Sequence, residues 1–237
     1  MIRIGTVELG KKPVVVLSID GGEEDKLDYA RRLGVNLIEV RGDLVISKGV
    51  DLSGLNRVLD LIGDYGFYSV LTLRPEWEGG KLNCSEEERL QLFEKLVKHP
   101  SVGAVDVELR ASILSDVREL AKREGKVLIV SYHDFEKTPP AEEIGGIFRR
   151  AVEAGADIVK LAFYGNSLSD VSRVCCVMNS IDYPKVFMVM GAVGKMTRVV
   201  GFHFGSLMTY TFLGKSVAPG QIPLEELKNL LEKFYNC

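Results

Sequence analysis

The sequence predicts an α/β protein: a (β/α)8 (TIM) barrel formed by residues 1–237 as one domain, with an N-terminal β-hairpin closing the bottom. Three observations predict it. Short apolar runs rich in Val, Ile and Leu alternate with longer amphipathic stretches, the pattern of strands and helices in turn. The 237 residues show no composition break that would mark a linker, and they suit one such barrel. The first core strand and the turn after it read VVVLSIDGGEED, with a lone Gly-Gly pair in place of Gly-x-Gly-x-x-Gly, which disfavours an open dinucleotide-binding sheet.

In chain order, residues Ile2 to Leu9 alternate weakly and Gly10 to Pro13 turn the chain, which predicts the hairpin before the first core strand at Val14 to Ile19. A helical stretch from Glu23 to Leu33 leads to a strand from Asn36 to Asp43, and a helix from Leu52 to Tyr65 to a strand from Tyr68 to Arg74. The loop PEWEGGKLNCS precedes a helix from Glu86 to Lys98, for which Ser85 and Glu88 supply a capping box. The strand Val102 to Leu109, the helix Ile113 to Glu124 and the strand Lys126 to His133 follow. Pro139 and Pro140 open a helix that Gly155 closes. Then come the strand Ala156 to Phe163, a helix from Leu168 to Asn179, the strand Lys185 to Met190 and a helical turn after Gly194. The apolar segment FHFGS at Phe202 to Ser206 is read as completing the set of eight strands, and an amphipathic helix from Pro223 to Tyr235 ends the chain.

A net charge of -3 with both signs interspersed argues against nucleic acid and for a small-molecule ligand. No run approaches the roughly 18 to 20 apolar residues of a membrane span, and the first residues lack a signal pattern, so a cytoplasmic protein is expected. Cys84, Cys175, Cys176 and Cys237 form no Cys-x-x-Cys pair, and with only His99, His133 and His203 no metal site is expected.

The strongest chemical signal is Lys160, in the middle of the apolar strand ADIVKLAF. Strand alternation puts it on the inner face with Ile158 and Ala162. Burial lowers an amine's pKa and makes it nucleophilic, so a Schiff-base lysine competes with a strand-end lysine whose stem reaches water. His133 ends the preceding strand, where a lone histidine is more often a satisfied structural group but one beside a burial-shifted amine is a general acid/base, and Glu78 in the loop after Arg74 is a carboxylate able to fix its tautomer. Glu39 and Arg41, two apart, share one face as ligand contacts or as a rim ion pair. Arg198 offers a fork for a carboxylate, and APGQ at Ala218 to Gln221 reads as a lid turn that delivers an amide.

Together these residues resemble type I 3-dehydroquinate dehydratases over essentially the whole chain. The resemblance rests on the Glu-x-Arg at Glu39 and Arg41, on Arg74 with Glu78 to Gly80, on HDF at His133 to Phe135 and on VKLA around Lys160. It continues through Gly194 to Arg198, FGS at Phe204 to Ser206 and APGQ, with Ser18 as a weaker match in the first strand. It implies dehydration of 3-dehydroquinate to 3-dehydroshikimate through an imine at Lys160, with His133 as proton carrier and Glu78 orienting it. It further implies that Ser18, Glu39, Arg41, Arg74, Arg198 and Gln221 bind substrate, that no metal or organic cofactor is needed, and that the protein pairs as a homodimer. Two departures stand out: Val217 replaces the usual serine before APGQ, which removes a lid hydrogen bond of about 1 kcal/mol, and Tyr210 stands where phenylalanine is common. A lysine-imine aldolase is the competing enzyme class, but it would call for phosphate-binding features near the last two strands. A catalytically silent barrel is the alternative from outside enzymes.

Overall fold

The computed structural model describes residues 2–22, 24–216 and 218–236. A two-stranded antiparallel hairpin, β1 (Arg3–Ile4) and β2 (Val7–Glu8), opens the chain. Eight parallel strands follow: β3 (Val14–Ile19), β4 (Leu37–Arg41), β5 (Tyr68–Thr72), β6 (Val102–Glu108), β7 (Val127–Asp134), β8 (Ile158–Tyr164), β9 (Lys185–Met190) and β10 (Met208–Phe212). They pair in the order β10-β3-β4-β5-β6-β7-β8-β9, with the short β11 (Ile222–Pro223) on the outer side of β10. The ring is completed where β9 meets the residues leading into β10: Lys185 bridges Ser206, and Leu207 N donates to Lys185 O at 2.8 Å.

The helices lie between the strands: α1 (Glu24–Arg32), the short α2 (Gly42–Ser47), α3 (Leu52–Asp64), α4 (Glu86–Leu96), α5 (Leu114–Arg123), α6 (Ala141–Glu153), α7 (Leu168–Asn179), the single turn α8 (Thr197–Val200) and α9 (Leu224–Tyr235). Ser85 and Ser167 cap α4 and α7 with full capping boxes, satisfying first-turn amides that would otherwise be orphaned. No helix among the described residues is long and apolar enough to cross a membrane.

Strand alternation sorts the core into two layers. Val159, Leu161 and Phe163 of β8 face the helices, while Ile158 and Ala162 face the barrel interior with Val14, Val16 and Val70. The hairpin closes the N-terminal end of that interior by burying Ile4 against Gly103, where a Cβ would come within 2.7 Å of Ile4 Cγ2. The opposite end, where the strands finish, is left to polar side chains, as is usual for this architecture.

One strand lies elsewhere than the sequence reading puts it. FHFGS is not a strand: Gly201–Phe204 form a 3-10 turn that Gly205 ends in the left-handed region at φ 86°. The eighth barrel strand is the next segment, MTYTF. Phe202 and Phe204 are half-buried and pack outward against the helix layer, so their apolar character reflects a packed turn and not a pleat.

Candidate active site

The inward-facing residues change from apolar to polar along each strand. In β8 the order is Ile158, Lys160, Ala162, and the register sets Lys160 beside Ser131 and His133 beside Ala162. In β4 Glu39 lies beside Ser18 of β3 and Val70 of β5. The result is one cavity at the C-terminal ends of the strands, about 570 Å³ including its open mouth. Lys160, His133, Glu78, Glu39, Arg41, Arg74, Arg198 and Gln221 all line it. Ser18 does not: it sits behind Glu39, to whose Oε2 its hydroxyl donates at 2.6 Å.

Lys160 is buried, and its environment corrects the expected charge state. Its Nζ donates to Asp106 Oδ2 at 2.8 Å and to Glu39 Oε1 at 3.5 Å, and it lies over the Tyr210 ring, 4.1 Å from the centroid. Burial works to lower its pKa, as the sequence reading expected, but the charges of Asp106 and Glu39 outweigh burial and raise the pKa above that of an ordinary lysine. The resting group is therefore an ammonium. Strand parity reveals that a lysine faces inward, but not that an aspartate from a strand 54 positions away faces it.

His133 is tied down through Glu78. A 3-10 turn at Glu76–Glu78 follows the end of β5, and Gly79 and Gly80 turn the chain back. A side chain at Gly80 would overlap the Arg74 carbonyl, and Gly79 takes a φ of 79°, so both glycines are needed there. The turn buries Glu78, whose Oε1 accepts from His133 N at 2.9 Å and from His133 Nδ1 at 3.0 Å. Arg110 donates to Glu78 Oε2 at 2.8 Å and to the His133 carbonyl at 3.4 Å. Burial pushes the Glu78 carboxyl up, but His133, Arg74 and Arg110 hold it below the usual range, so it accepts only and Nδ1 carries the proton. Nε2 is then the free base. Burial and the positive charge of Arg74 lower the His133 pKa to about 4, against the opposing pull of Glu78, so the ring is neutral near pH 7.

The remaining basic groups differ in what they already hold. Arg74 is enclosed: it donates to Asp106 Oδ1 at 2.7 Å, to Glu108 Oε1 at 2.5 Å and to Ser131 Oγ at 2.8 Å. Arg89 closes the far side of Glu108. Arg41 forks onto Asp43, at 2.9 and 2.8 Å, and not onto Glu39, so the rim ion pair within Glu-x-Arg does not form. Glu39 instead takes hydrogen bonds from Ser18 and Thr72 and pairs with Lys160.

Arg198 is buried with no carboxylate partner among the described residues; it donates to Gly220 O at 2.8 Å and Pro219 O at 3.1 Å. Burial alone pushes its pKa down to about 10. Those bonds fasten the APGQ turn over the cavity. Gly220 is required there because its φ is 74° and a Cβ would come within 2.7 Å of the Gly191 carbonyl oxygen. Gln221 Oε1 accepts from Ala218 N at 3.1 Å and Ser216 Oγ at 3.2 Å within the same turn. Val217 lies outside the described residues.

Sequence reasoning missed Asp106, Thr72 and Ser131, which tie Lys160, Glu39 and Arg74 into one network. A signal was present in VGAVDVEL, where an aspartate interrupts an apolar strand just as Lys160 does. Arg110 also gains a role as the clamp on Glu78.

The sequence profile of the type I 3-dehydroquinase family matches residues 14–236. A 3-dehydroquinate dehydratase from a Hydrogenobaculum species is 40% identical over 201 residues, spanning 84% of this chain and 89% of that protein. Among solved structures, the 3-dehydroquinate dehydratase of Geobacillus kaustophilus superposes with a TM-score of 0.88 at 27% identity, covering 100% of this chain and 97% of that one. The type I 3-dehydroquinate dehydratase of Clostridium difficile with covalently modified comenic acid superposes with a TM-score of 0.87 at 26% identity, covering 99% and 97%.

Proposed function

This chain belongs to the type I 3-dehydroquinase family, and on that premise we propose that it dehydrates 3-dehydroquinate to 3-dehydroshikimate through an imine at Lys160. The observation that carries the mechanism is the pairing, in one cavity, of a buried lysine with a neutral histidine whose Nδ1 is pinned by Glu78. Lys160 attacks the C3 ketone after giving up a proton that ends on the ketone oxygen leaving as water, and the resulting imine acts as an electron sink that acidifies the neighbouring C2–H. His133 Nε2 takes that proton; the enamine then expels the C1 hydroxyl, with the same imidazole returning the proton to the departing oxygen. Water hydrolyses the conjugated imine and frees the lysine.

The covalently modified comenic acid of the Clostridium difficile structure supports this reading. So does Arg198: a buried guanidinium whose partners among the described residues are carbonyls and a thioether is suited to a substrate carboxylate. Glu39 and Arg41 face the ring hydroxyls, Gln221 meets the substrate from the lid, and Ser18 acts through Glu39. Arg74, already saturated by carboxylates, acts mainly by positioning Asp106 and Glu108. The same reading assigns the step to the shikimate route of aromatic biosynthesis and the chain to a cytoplasmic homodimer. Incubation with 3-dehydroquinate tests it through the ultraviolet absorbance of the conjugated enone product: its appearance is expected, and a flat trace with folded protein would overturn the assignment.

Two substitutions probe the supporting residues. Glu78→Gln lets an amide donate to Nδ1 and favours the wrong imidazole tautomer. It should lower kcat on the order of 10²-fold with little change in KM; a raised KM at unchanged kcat would make Glu78 a binding group instead. Arg198→Met removes the carboxylate's charge-assisted bonds and should raise KM by about 10- to 100-fold. Steady-state kinetics that show a loss confined to kcat would contradict that role.

A further inference from the structure

Among the described residues, Tyr210 alone lines the cavity with a buried side-chain polar atom that has no hydrogen-bond partner. Its place is set by β10, where alternation turns Met208 and Tyr210 into the barrel and the register fixes Tyr210 beside Val16. The Lys160 ammonium lies over the ring face, 4.1 Å from the centroid, and so fixes the ring against the nucleophile. A phenol is both donor and acceptor, and burying one without a partner is unfavourable unless a ligand completes it. A phenylalanine would give the same aromatic wall without that cost. Burial, with the charges of Glu39 and Asp106, outweighs the neighbouring Lys160 ammonium and raises the phenol's pKa, so it carries its proton as a donor.

We propose that the Tyr210 hydroxyl donates a hydrogen bond to the oxygen on the substrate carbon that Lys160 attacks. This rests on the dehydratase reading above and adds a group to it. With the nitrogen over the ring face, an oxygen on the carbon that the nitrogen attacks lies two bonds away and comes within reach of the hydroxyl at the end of that ring. As the lysine nitrogen forms the C–N bond, the carbonyl π pair moves onto oxygen, and the phenol stabilises the charge that develops there. When the C=N bond forms, two of the three ammonium protons leave with that oxygen as water and the third stays on the protonated imine. Tyr210 keeps its own proton throughout, so the step needs no further reactant.

Tyr210→Phe tests this, since it removes one atom and preserves the ring over which Lys160 sits. With 3-dehydroquinate, the rate of borohydride-trapped adduct formation and kcat/KM should each fall about tenfold, while the thermal midpoint stays the same or rises. Wild-type protein is run in parallel. Rates within twofold of an active wild type would overturn the role of the hydroxyl and leave the dehydratase reading intact, and a slowed variant that also melts earlier would overturn it in favour of a structural role. A folded wild type giving neither product nor adduct would overturn the dehydratase reading and this inference with it.

Discussion

Lys160→Ala should give a protein that forms no borohydride-stable adduct and whose turnover of 3-dehydroquinate falls on the order of 10⁴-fold or more, because no other lysine lines the cavity among the described residues. The same change should cost stability. Asp106 and Glu39 are buried against Lys160, and removing the cation leaves them in a low-dielectric interior with less compensation. Breaking a buried pair by deleting one partner costs about 3–5 kcal/mol, and the lower end applies because Arg74 still holds Asp106. Lys160 has a pKa raised on folding, so its contribution is fully present below its unfolded value of about 10.4 and is lost only as pH rises through the folded value. Asp106 is depressed on folding, so its contribution is present above its unfolded value of about 3.9 and is lost as pH falls. Across neutral pH both are in force. Denaturant unfolding at pH 7 should therefore show the variant destabilised, and a variant as stable as the wild type would mean that the lysine–carboxylate network is energetically idle.

His133→Ala should separate the steps: the imine forms but the C2 proton is not removed. Adduct should accumulate on the intact protein while kcat drops about 10²- to 10⁴-fold. This residue also leaves a mark on stability. Its pKa of about 4 in the folded protein lies below the unfolded value of about 6.5, so the unfolded chain binds a proton that the folded one refuses. Stability should therefore decline as pH is lowered from about 6.5 to 4, by about 3 kcal/mol, and that decline should flatten in the variant. Unfolding free energies measured across this window check it; an unchanged slope would mean that His133 is not held neutral in the folded protein. Near-normal turnover by the variant would transfer the proton carrier's role to another group.

Much of the barrel was legible because each strand and helix carries its own local period. The amphipathic pattern of Leu168 to Asn179 and the apolar run of Lys185 to Met190 appear in the structure with those bounds. The eighth strand was misplaced because FHFGS and MTYTF are both short and apolar, and only the left-handed Gly205 separates a turn from a strand there. The candidate site was legible wherever a charged residue interrupts an apolar strand, as with Lys160, or ends one, as with His133. Pairings were not legible. Whether Arg41 meets Glu39 or Asp43 depends on how α2 folds back after β4, and the charge on Lys160 depends on Asp106 across the barrel. Both are set by strand register and side-chain direction over long sequence separations. Ser18 shows the same limit, since inward parity alone does not distinguish a group that lines the cavity from one that braces Glu39 from behind.

The whole mechanism turns on Lys160 being the covalent group. Wild-type protein incubated with 3-dehydroquinate, reduced with borohydride, digested and read by mass spectrometry gives the sharpest check, and Lys185 serves as an internal control. Lys185 is also buried, but it begins β9 at the opposite end of the barrel, with Nζ donating to the Ile181 carbonyl. A reduced substrate adduct is expected on the peptide that carries Lys160 and none on the peptide that carries Lys185. Turnover without any added mass at Lys160, or an adduct confined to another lysine, would refute that role.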